Sequence, residues 1–130
     1  MIVVDASAVL DLLLRTPAAA SIAQRLFEPG QTLHAPHLID VEAAQVIRRY
    51  AANGEIGGER AREVLADLAD LPLRRYPHDL LLPRIWELRG NLTASDAAYI
   101  ALAEALDAPL LTRDQRLAAA PGHSARIELE

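Results

Sequence analysis

The sequence predicts an α/β fold, in which a mostly parallel central sheet of about five strands is flanked by helices on both faces. Short apolar runs alternate with longer segments of helical periodicity, which is typical of parallel strands joined by crossover helices. Apolar residues make up 52% of the chain and are dominated by Ala and Leu, a composition that favours helices. The length of 130 residues fits a single domain, residues 1–130.

Five short segments are predicted as strands because they are apolar or β-branched and are bounded by turn residues or prolines. Residues 2–4 are too short for a helix, residues 33–35 stop at Pro36, and residues 73–76 lie between Pro72 and Pro77. Residues 110–112 follow Pro109, and residues 125–129 come last. We expect the crossovers between such parallel strands to be right-handed. In an open α/β sheet, ligands bind beyond the carboxyl ends of the strands, so the residues just after the strands are the candidates for a site.

Helical periodicity fills the segments between the strands. The predicted helices span residues 6–14, 18–27, 37–53, 58–70, 80–89, 95–107 and 114–119. Asn53-Gly54 and Gly57-Gly58 separate the third helix from the fourth. Gly90-Asn91 predicts a left-handed cap at the end of the fifth.

The composition excludes several kinds of chemistry. The chain has no Cys, which excludes disulfides, Cys-ligated metals and thiol nucleophiles. All 13 basic residues are Arg, so Schiff-base chemistry and a phosphate-binding lysine are excluded too. The formal net charge of -5 argues against binding nucleic acid through overall charge, although a local Arg patch or a bound metal remains compatible with it.

The apolar N-terminal region resembles a signal peptide only superficially. Asp5 and Asp11 interrupt it before the first basic residue, Arg15, and no run approaches the roughly 18 apolar residues of a membrane span. We therefore expect a cytoplasmic protein that does not enter a membrane.

Four acidic residues occupy positions where a ligand site is expected. Asp5 directly follows the first strand, and Asp114 lies two residues after the fourth. Glu42 and Asp96 each interrupt an apolar stripe of a helix, so both helices turn a carboxylate inward. Inward carboxylates that converge repel one another, and a divalent cation such as Mg²⁺ relieves this repulsion.

Each of these acids also has a purely structural interpretation. Asp5 and Asp114 would cap the helices that follow them, and Asp96 would be a first-turn acid on a helix dipole. Glu42 would be a surface acid paired with Arg48 or Arg49 of its own helix. Taken singly, these interpretations are preferable; the joint placement of the four acids favours the cation site.

Four ordered motifs closely resemble the PIN-domain family and, within it, VapC toxins of bacterial toxin–antitoxin pairs. They are VDASAV at residues 4–9, the acid inside DVEAA at residues 40–44, NLTASDAAYIALAE at residues 91–104 and LTRDQRL at residues 111–117. The resemblance covers almost the full chain. One departure is Ser95, where many relatives have Tyr, which removes an aromatic contact with RNA.

The resemblance implies a Mg²⁺- or Mn²⁺-dependent endoribonuclease that hydrolyses RNA by metal-activated water. The family's catalytic and metal-binding acids carry over to Asp5, Glu42, Asp96 and Asp114. The supporting polar residues are Ser7, Asn91 and Thr112, and the candidates for contacting RNA phosphate are Arg15, Arg113 and Arg116. The four histidines lack metal-ligand spacing and are interpreted as capping, surface or strand residues.

The resemblance also implies partners, namely a small VapB-type antitoxin and a second copy of the chain in a homodimer. The antitoxin tail is expected to place an Arg among the acids, where a guanidinium satisfies carboxylates and excludes metal. The segments 18–27 and 64–71 offer apolar surface for assembly or for the core.

Other functions fit the sequence less well. A haloacid-dehalogenase-type phosphotransferase needs an Asp where Ser7 stands, a dinucleotide-binding enzyme needs glycines before Gly30, and the Gly-x-Ser-x-Gly motif of serine hydrolases is absent. The alternative that stays open is a catalytically inactive PIN-like module that binds RNA or protein.

Overall fold

The computed structural model describes residues 1–130 and has a five-stranded sheet with seven α-helices. All strand pairs are parallel, and the strand order is β3-β2-β1-β4-β5. The strands are β1 Ile2–Val4, β2 Leu33–Pro36, β3 Leu73–Tyr76, β4 Leu110–Thr112 and β5 Ile127–Leu129. The helices are α1 Ala6–Leu14, α2 Ala19–Leu26, α3 Leu38–Ala52, α4 Gly58–Asp70, α5 Leu82–Glu87, α6 Ala94–Leu106 and α7 Gln115–Ala119. The predicted fold class is confirmed.

The central strand β1 organises the sheet. Its three residues are fully buried, as expected for a parallel strand covered on both faces. In the parallel register Val3 lies opposite His34 of β2, and Val4 lies opposite Leu111 of β4. The chain builds β2 and β3 on one side of β1 and β4 and β5 on the other. The strand order therefore reverses between β1 and β4, and a crevice opens at their carboxyl ends.

The helices form two layers because the direction of strand addition changes at β1. Helices α1 to α4 contact one another, whereas α5 packs on α6 and α7 packs on β4 and β5. Right-handed crossovers place these two groups on opposite faces of the sheet. Helix α6 lies at the centre of its layer, and all of its residues from 97 to 103 are buried. Four of these seven are Ala, which lets the helix lie close to the strands.

The differences from the sequence-based expectation concern the ends of elements. Strand β2 includes Pro36, strand β5 begins at Ile127 rather than at residue 125, and three details differ at helix ends. Residues 80–89 do not form one helix: a 3₁₀ turn at Asp79–Leu81 precedes α5, because Pro83 in the first turn of α5 has no amide hydrogen to continue a helix through it. Gly90 does not have the left-handed conformation predicted for it. Left-handed caps instead end α1 at Arg15, with φ 56°, and α6 at Asp107, with φ 49°.

No single helix is long and apolar enough to cross a membrane. Helices α1 and α2 reach the necessary length and apolarity only as a pair, and they are bent by 115° at the break between them. Both helices contribute side chains to the core, including Val9 and Ile22.

Candidate active site

Asp5 lies at the carboxyl end of β1, where the strand order reverses, and is 6% exposed. Its Oδ1 accepts hydrogen bonds from the Ser7 hydroxyl at 2.6 Å and the Ala8 amide at 3.1 Å. Its Oδ2 accepts one from the Thr112 hydroxyl at 2.5 Å. Asp5 therefore caps α1, as the structural interpretation of the sequence predicts, and it also faces the ligand-binding edge of the sheet.

Thr112 connects Asp5 to Asp114. It is fully buried at the end of β4, and its hydroxyl accepts a hydrogen bond from the Asp114 amide at 3.0 Å. Asp114 caps α7: its Oδ1 accepts hydrogen bonds from the amides of Arg116 at 2.9 Å and Leu117 at 3.4 Å. Capping uses only Oδ1, so Oδ2 of Asp114 is free of protein hydrogen bonds.

Glu42 lies on α3, and its partner is a tyrosine of α6. The Tyr99 hydroxyl donates a hydrogen bond to Glu42 Oε1 at 2.5 Å. Burial raises the pKa of the Tyr99 phenol far above its usual value, and Glu42 adds to this, so the phenol stays a donor. Neither Arg48 nor Arg49 forms an ion pair with Glu42, which excludes the predicted surface pairing in this structure.

Asp96 lies in the first turn of α6, whose N-cap is Thr93. The Thr93 hydroxyl accepts a hydrogen bond from the Asp96 amide at 3.2 Å. The Asp96 side chain is partly buried, and the Thr93 hydroxyl lies close enough to its carboxylate to lower its pKa. The carboxylate belongs to none of the protein's ion pairs and lines a cavity, so it can reach a ligand.

Electrostatics link these carboxylates to one another. Burial raises the pKa of Asp5, Glu42 and Asp96, and in each case it is the largest cause. The negative charge of Asp96 raises the pKa of both Asp5 and Glu42 further, and that of Asp114 raises the pKa of Asp96. The four predicted acids therefore lie near enough to repel one another, although they come from four separate parts of the chain.

The donor chemistry of this group fits a hard divalent cation. The four acids and the hydroxyls beside Asp5 supply carboxylate and hydroxyl oxygens, which such ions prefer. No three His, Asp or Glu side chains in the structure are arranged closely enough to enclose a metal ion. Mg²⁺ needs no such cage, because it keeps several waters and binds through one or two carboxylates together with substrate phosphate.

Comparison with known proteins decides the family. The PIN-domain family model matches residues 2–122. The chain belongs to the PIN-domain family. It is also 45% identical over 129 residues to Ribonuclease VapC12 of Mycobacterium tuberculosis (strain ATCC 25618 / H37Rv), which covers 99% of this chain and 98% of that one. Within the PIN-domain family it is therefore a VapC ribonuclease, the toxin of a toxin–antitoxin system, and the predicted resemblance is confirmed.

Two solved structures show the same PIN-domain fold. The crystal structure of PAE2754 from Pyrobaculum aerophilum aligns with a TM-score of 0.70 and 26% identity, covering 97% of this chain and 81% of that one. A chain of a toxin–antitoxin complex from Klebsiella pneumoniae aligns with a TM-score of 0.65 and 19% identity, and the alignment covers 92% of this chain and 91% of that one.

The three arginines predicted to contact RNA occupy different places around this PIN-domain site. Arg116 has no ion-pair partner and lines a cavity of about 220 Å³ together with Asn91 and Asp96. Arg113 is bound to Asp11, with Nε to Oδ2 at 2.7 Å. Arg15 lies at the far end of α1, roughly 15 Å along the helix axis from Asp5 at 1.5 Å per residue.

No histidine forms a hydrogen bond with any of the four acids. His34 is a buried strand residue that lies within hydrogen-bond distance of Thr32 and Tyr76, at 2.8 and 2.6 Å. His37 and His78 face each other edge to plane with ring centroids 6.1 Å apart. No histidine nitrogen therefore binds the acids of the candidate site.

Tyr99 is the residue of this PIN-domain site that sequence reasoning missed. It stands in a helix that is buried all round, so its aromatic ring is accounted for by core packing. The available signal is the spacing Asp96-x-x-Tyr99, which places a phenol one turn after an acid on the same helix face. The carboxylate it contacts is 57 residues away along the chain.

Proposed function

We propose that this VapC ribonuclease is a Mg²⁺- or Mn²⁺-dependent endoribonuclease whose cation is held by Asp5, Glu42, Asp96 and Asp114. The observation that supports it is that these carboxylates repel one another and have no ion-pair partner. None of the eight ion pairs of the protein involves any of these acids. The charge of Arg116 acts on Asp96 but forms no ion pair with it, so a bound cation would offset the remaining repulsion among these acids.

Side chains of the protein have the other roles in the reaction. The cation, when bound, supplies a Lewis acid that makes water a stronger nucleophile and offsets phosphodiester charge. Ser7 and Thr112 hold the Asp5 carboxylate by both oxygens, and Arg116 and Asn91 contact RNA phosphate beside Asp96. Attack by water with departure of the 3′ oxygen gives a 5′-phosphate and a 3′-hydroxyl. Recovery of a 2′,3′-cyclic phosphate from the purified protein would contradict this mechanism.

Asp96→Asn tests the proposal because it removes one charge and leaves the shape of the side chain unchanged. Millimolar Mn²⁺ should raise the Tm of the wild-type protein, since a ligand that binds only the folded state stabilises it. Asp96→Asn should lose both the Mn²⁺-dependent rise and RNA cleavage. Its Tm without metal should equal or exceed that of the wild type, because the substitution removes a repelled charge.

Asp107→Asn is the matched control, because Asp107 lies at the other end of the same helix and its side chain is 91% exposed. This variant should keep both the Mn²⁺ response and cleavage. If the wild-type protein shows no Mn²⁺ response and cleaves RNA equally well in a chelator, the cation proposal is wrong. If it shows no Mn²⁺ response and no cleavage, the inactive binding module becomes the better description.

We also propose a VapB-type antitoxin as partner. The fold likeness to a chain of a toxin–antitoxin complex supports this, as does the unpaired acidic cluster, which suits a guanidinium from a partner. Co-expression with the antitoxin should suppress cleavage, and replacing the arginine of its tail should restore cleavage. Because the substrate is RNA, we place the protein in the cytoplasm.

A homodimer would use apolar surface that the fold leaves uncovered. The predicted stretches of α2 and α4 turn Ile22 and Val64 into the core, and only Phe27 and Leu65 stay exposed there among their large apolar side chains. Leu80, Leu82 and Trp86 remain 83%, 59% and 67% exposed around α5. We propose that this surface forms the dimer contact. Light scattering should give twice the chain mass of 14.1 kDa, and Trp86→Glu should give the chain mass itself.

A further inference from the structure

Tyr99 places a single polar atom at the boundary between the core and the acidic cluster. The residue is 2% exposed, and its ring packs within the hydrophobic core. Its hydroxyl donates to Glu42 Oε1 at 2.5 Å, the only hydrogen bond that the Glu42 carboxylate accepts from the protein. Phenylalanine would fill the same space, so packing alone does not account for the hydroxyl.

The phenol also lies near three of the four segments that carry the acids. Tyr99 is one turn after Asp96 on α6, and the carboxylate that it contacts belongs to α3. The negative charge of Asp5, at the end of β1, helps to raise the pKa of the phenol. One side chain thus lies beside three of the chain segments that carry the predicted ligands.

The hydrogen bond from Tyr99 to Glu42 matters because neighbouring carboxylates repel Glu42. The charges of Asp96 and Asp5 both act on Glu42, and a flexible glutamate under such repulsion would turn its carboxylate toward water. The hydroxyl of the rigid, buried Tyr99 ring holds Oε1 of Glu42 in place and leaves Oε2 free of protein hydrogen bonds. The free oxygen is then held beside the other acids before any cation arrives.

We propose that Tyr99 is a positioning residue that holds Glu42 in the cation site, so that the metal affinity of this protein depends on one buried hydroxyl. The inference rests on the proposed function. Partners of this kind, which orient a metal ligand, typically change metal affinity by about 10- to 100-fold. Tyr99 itself touches neither the cation nor the RNA.

Tyr99→Phe is the decisive variant, and Tyr76→Phe is its matched control. Tyr76 also has a hydroxyl bonded to a side chain, His34 at 2.6 Å, but it lies on β3 and contacts none of the four acids. The full-length proteins would be titrated with Mn²⁺ by calorimetry. The Tm without metal, and kcat and KM on an RNA oligonucleotide, would be measured at several Mn²⁺ concentrations.

Tyr99→Phe should weaken Mn²⁺ binding by about tenfold or more. Its kcat should fall at low Mn²⁺ and recover at high Mn²⁺, while KM for RNA changes less than about twofold. Tyr76→Phe should lower Tm and leave Mn²⁺ affinity unchanged. In a Glu42→Ala background, Tyr99→Phe should have no further effect on Mn²⁺ affinity, because its role is exerted through Glu42.

Three results would overturn the inference: Tyr99→Phe binds Mn²⁺ as tightly as the wild type, Tyr76→Phe weakens binding equally, or Tyr99→Phe acts just as strongly in the Glu42→Ala background. Failure of the proposed function looks different, because the wild-type protein itself would then bind no Mn²⁺. That outcome would remove the cation site and the role of Tyr99 together.

Discussion

Glu104 connects three segments of the chain, and its replacement by glutamine should lower the free energy of unfolding by about 1–2 kcal/mol at neutral pH. Its Oε1 accepts a hydrogen bond from Arg84 Nε at 2.8 Å, and its Oε2 accepts one from Arg84 Nη2 at 3.0 Å. Oε2 also accepts hydrogen bonds from the Ser124 amide and hydroxyl, both at 2.9 Å. The carboxylate thereby joins α5 and α6 to the loop before β5.

The magnitude follows from the pKa of this carboxylate. The hydrogen bonds from Arg84 lower the pKa of Glu104 from 4.5 to about 2, with smaller contributions from Ser124. A difference of about 2.5 units corresponds to about 3 kcal/mol at 1.36 kcal/mol per unit. The Arg84 side chain is 35% exposed, so solvent screening reduces the contribution of Glu104 to the free energy of unfolding to about 1–2 kcal/mol.

The pH dependence has a defined sign because the folded-state pKa lies below the unfolded one. The stabilising contribution of Glu104 is fully present above pH 4.5 and is lost as the pH falls toward 2. Urea unfolding of the wild type and Glu104→Gln should therefore show a difference that shrinks between pH 5 and pH 3 to roughly half of its neutral value.

Glu87→Gln is the control for this experiment. Glu87 also pairs with Arg84, at 3.3 Å, but its side chain is 62% exposed, so its loss should cost less than about 0.5 kcal/mol. Equal losses for the two variants, or a Glu104→Gln loss that stays constant down to pH 3, would refute the assignment of this stability to the hydrogen bonds of Glu104.

Two further predictions concern the cavity beside Asp96. Arg116→Gln should raise KM for RNA several-fold at unchanged kcat. It should also lower the slope of log binding constant against log salt concentration by about one, since one phosphate contact is lost. Arg62→Gln, on the exposed face of α4, should change neither quantity. Gly122→Ala should lower the free energy of unfolding by about 1–3 kcal/mol in urea titrations, because Gly122 has φ +91° and an added Cβ would lie 2.6 Å from Asn91 Nδ2. Gly90→Ala, which has open space and an ordinary φ, should stay within about 0.5 kcal/mol of the wild type.

The order of elements in this fold could be predicted because local patterns determine it. The β-branched run at Ile2–Val4 and the proline-bounded run at Leu73–Tyr76 are strands, as predicted. The ends of helices were harder to predict because they depend on single residues. Pro83 shortens α5. Arg15 ends α1 in a left-handed conformation that glycine usually adopts.

The acids of the candidate site could be predicted because each lies at a recognisable position, either after a strand or on the inner stripe of a helix. Their hydrogen bonds could not be predicted. The contact between Tyr99 and Glu42 depends on how the sheet places α6 and α3 relative to each other, which no local pattern encodes. The same holds for Arg113, which one sequence motif places beside Asp114 and which the fold turns toward Asp11.

The capping and cation-binding interpretations of Asp5 and Asp114 are compatible because they use different properties of the carboxylate. Capping requires an oxygen that accepts from backbone amides, and asparagine provides this as well as aspartate does. Holding a cation requires negative charge, which asparagine lacks. The helix N-termini that these residues cap offset part of that charge, so a cap position tolerates an ionised acid next to other acids. Asp5→Asn and Asp114→Asn therefore separate the two roles: helices α1 and α7 should remain stable, and the Mn²⁺ response should be lost.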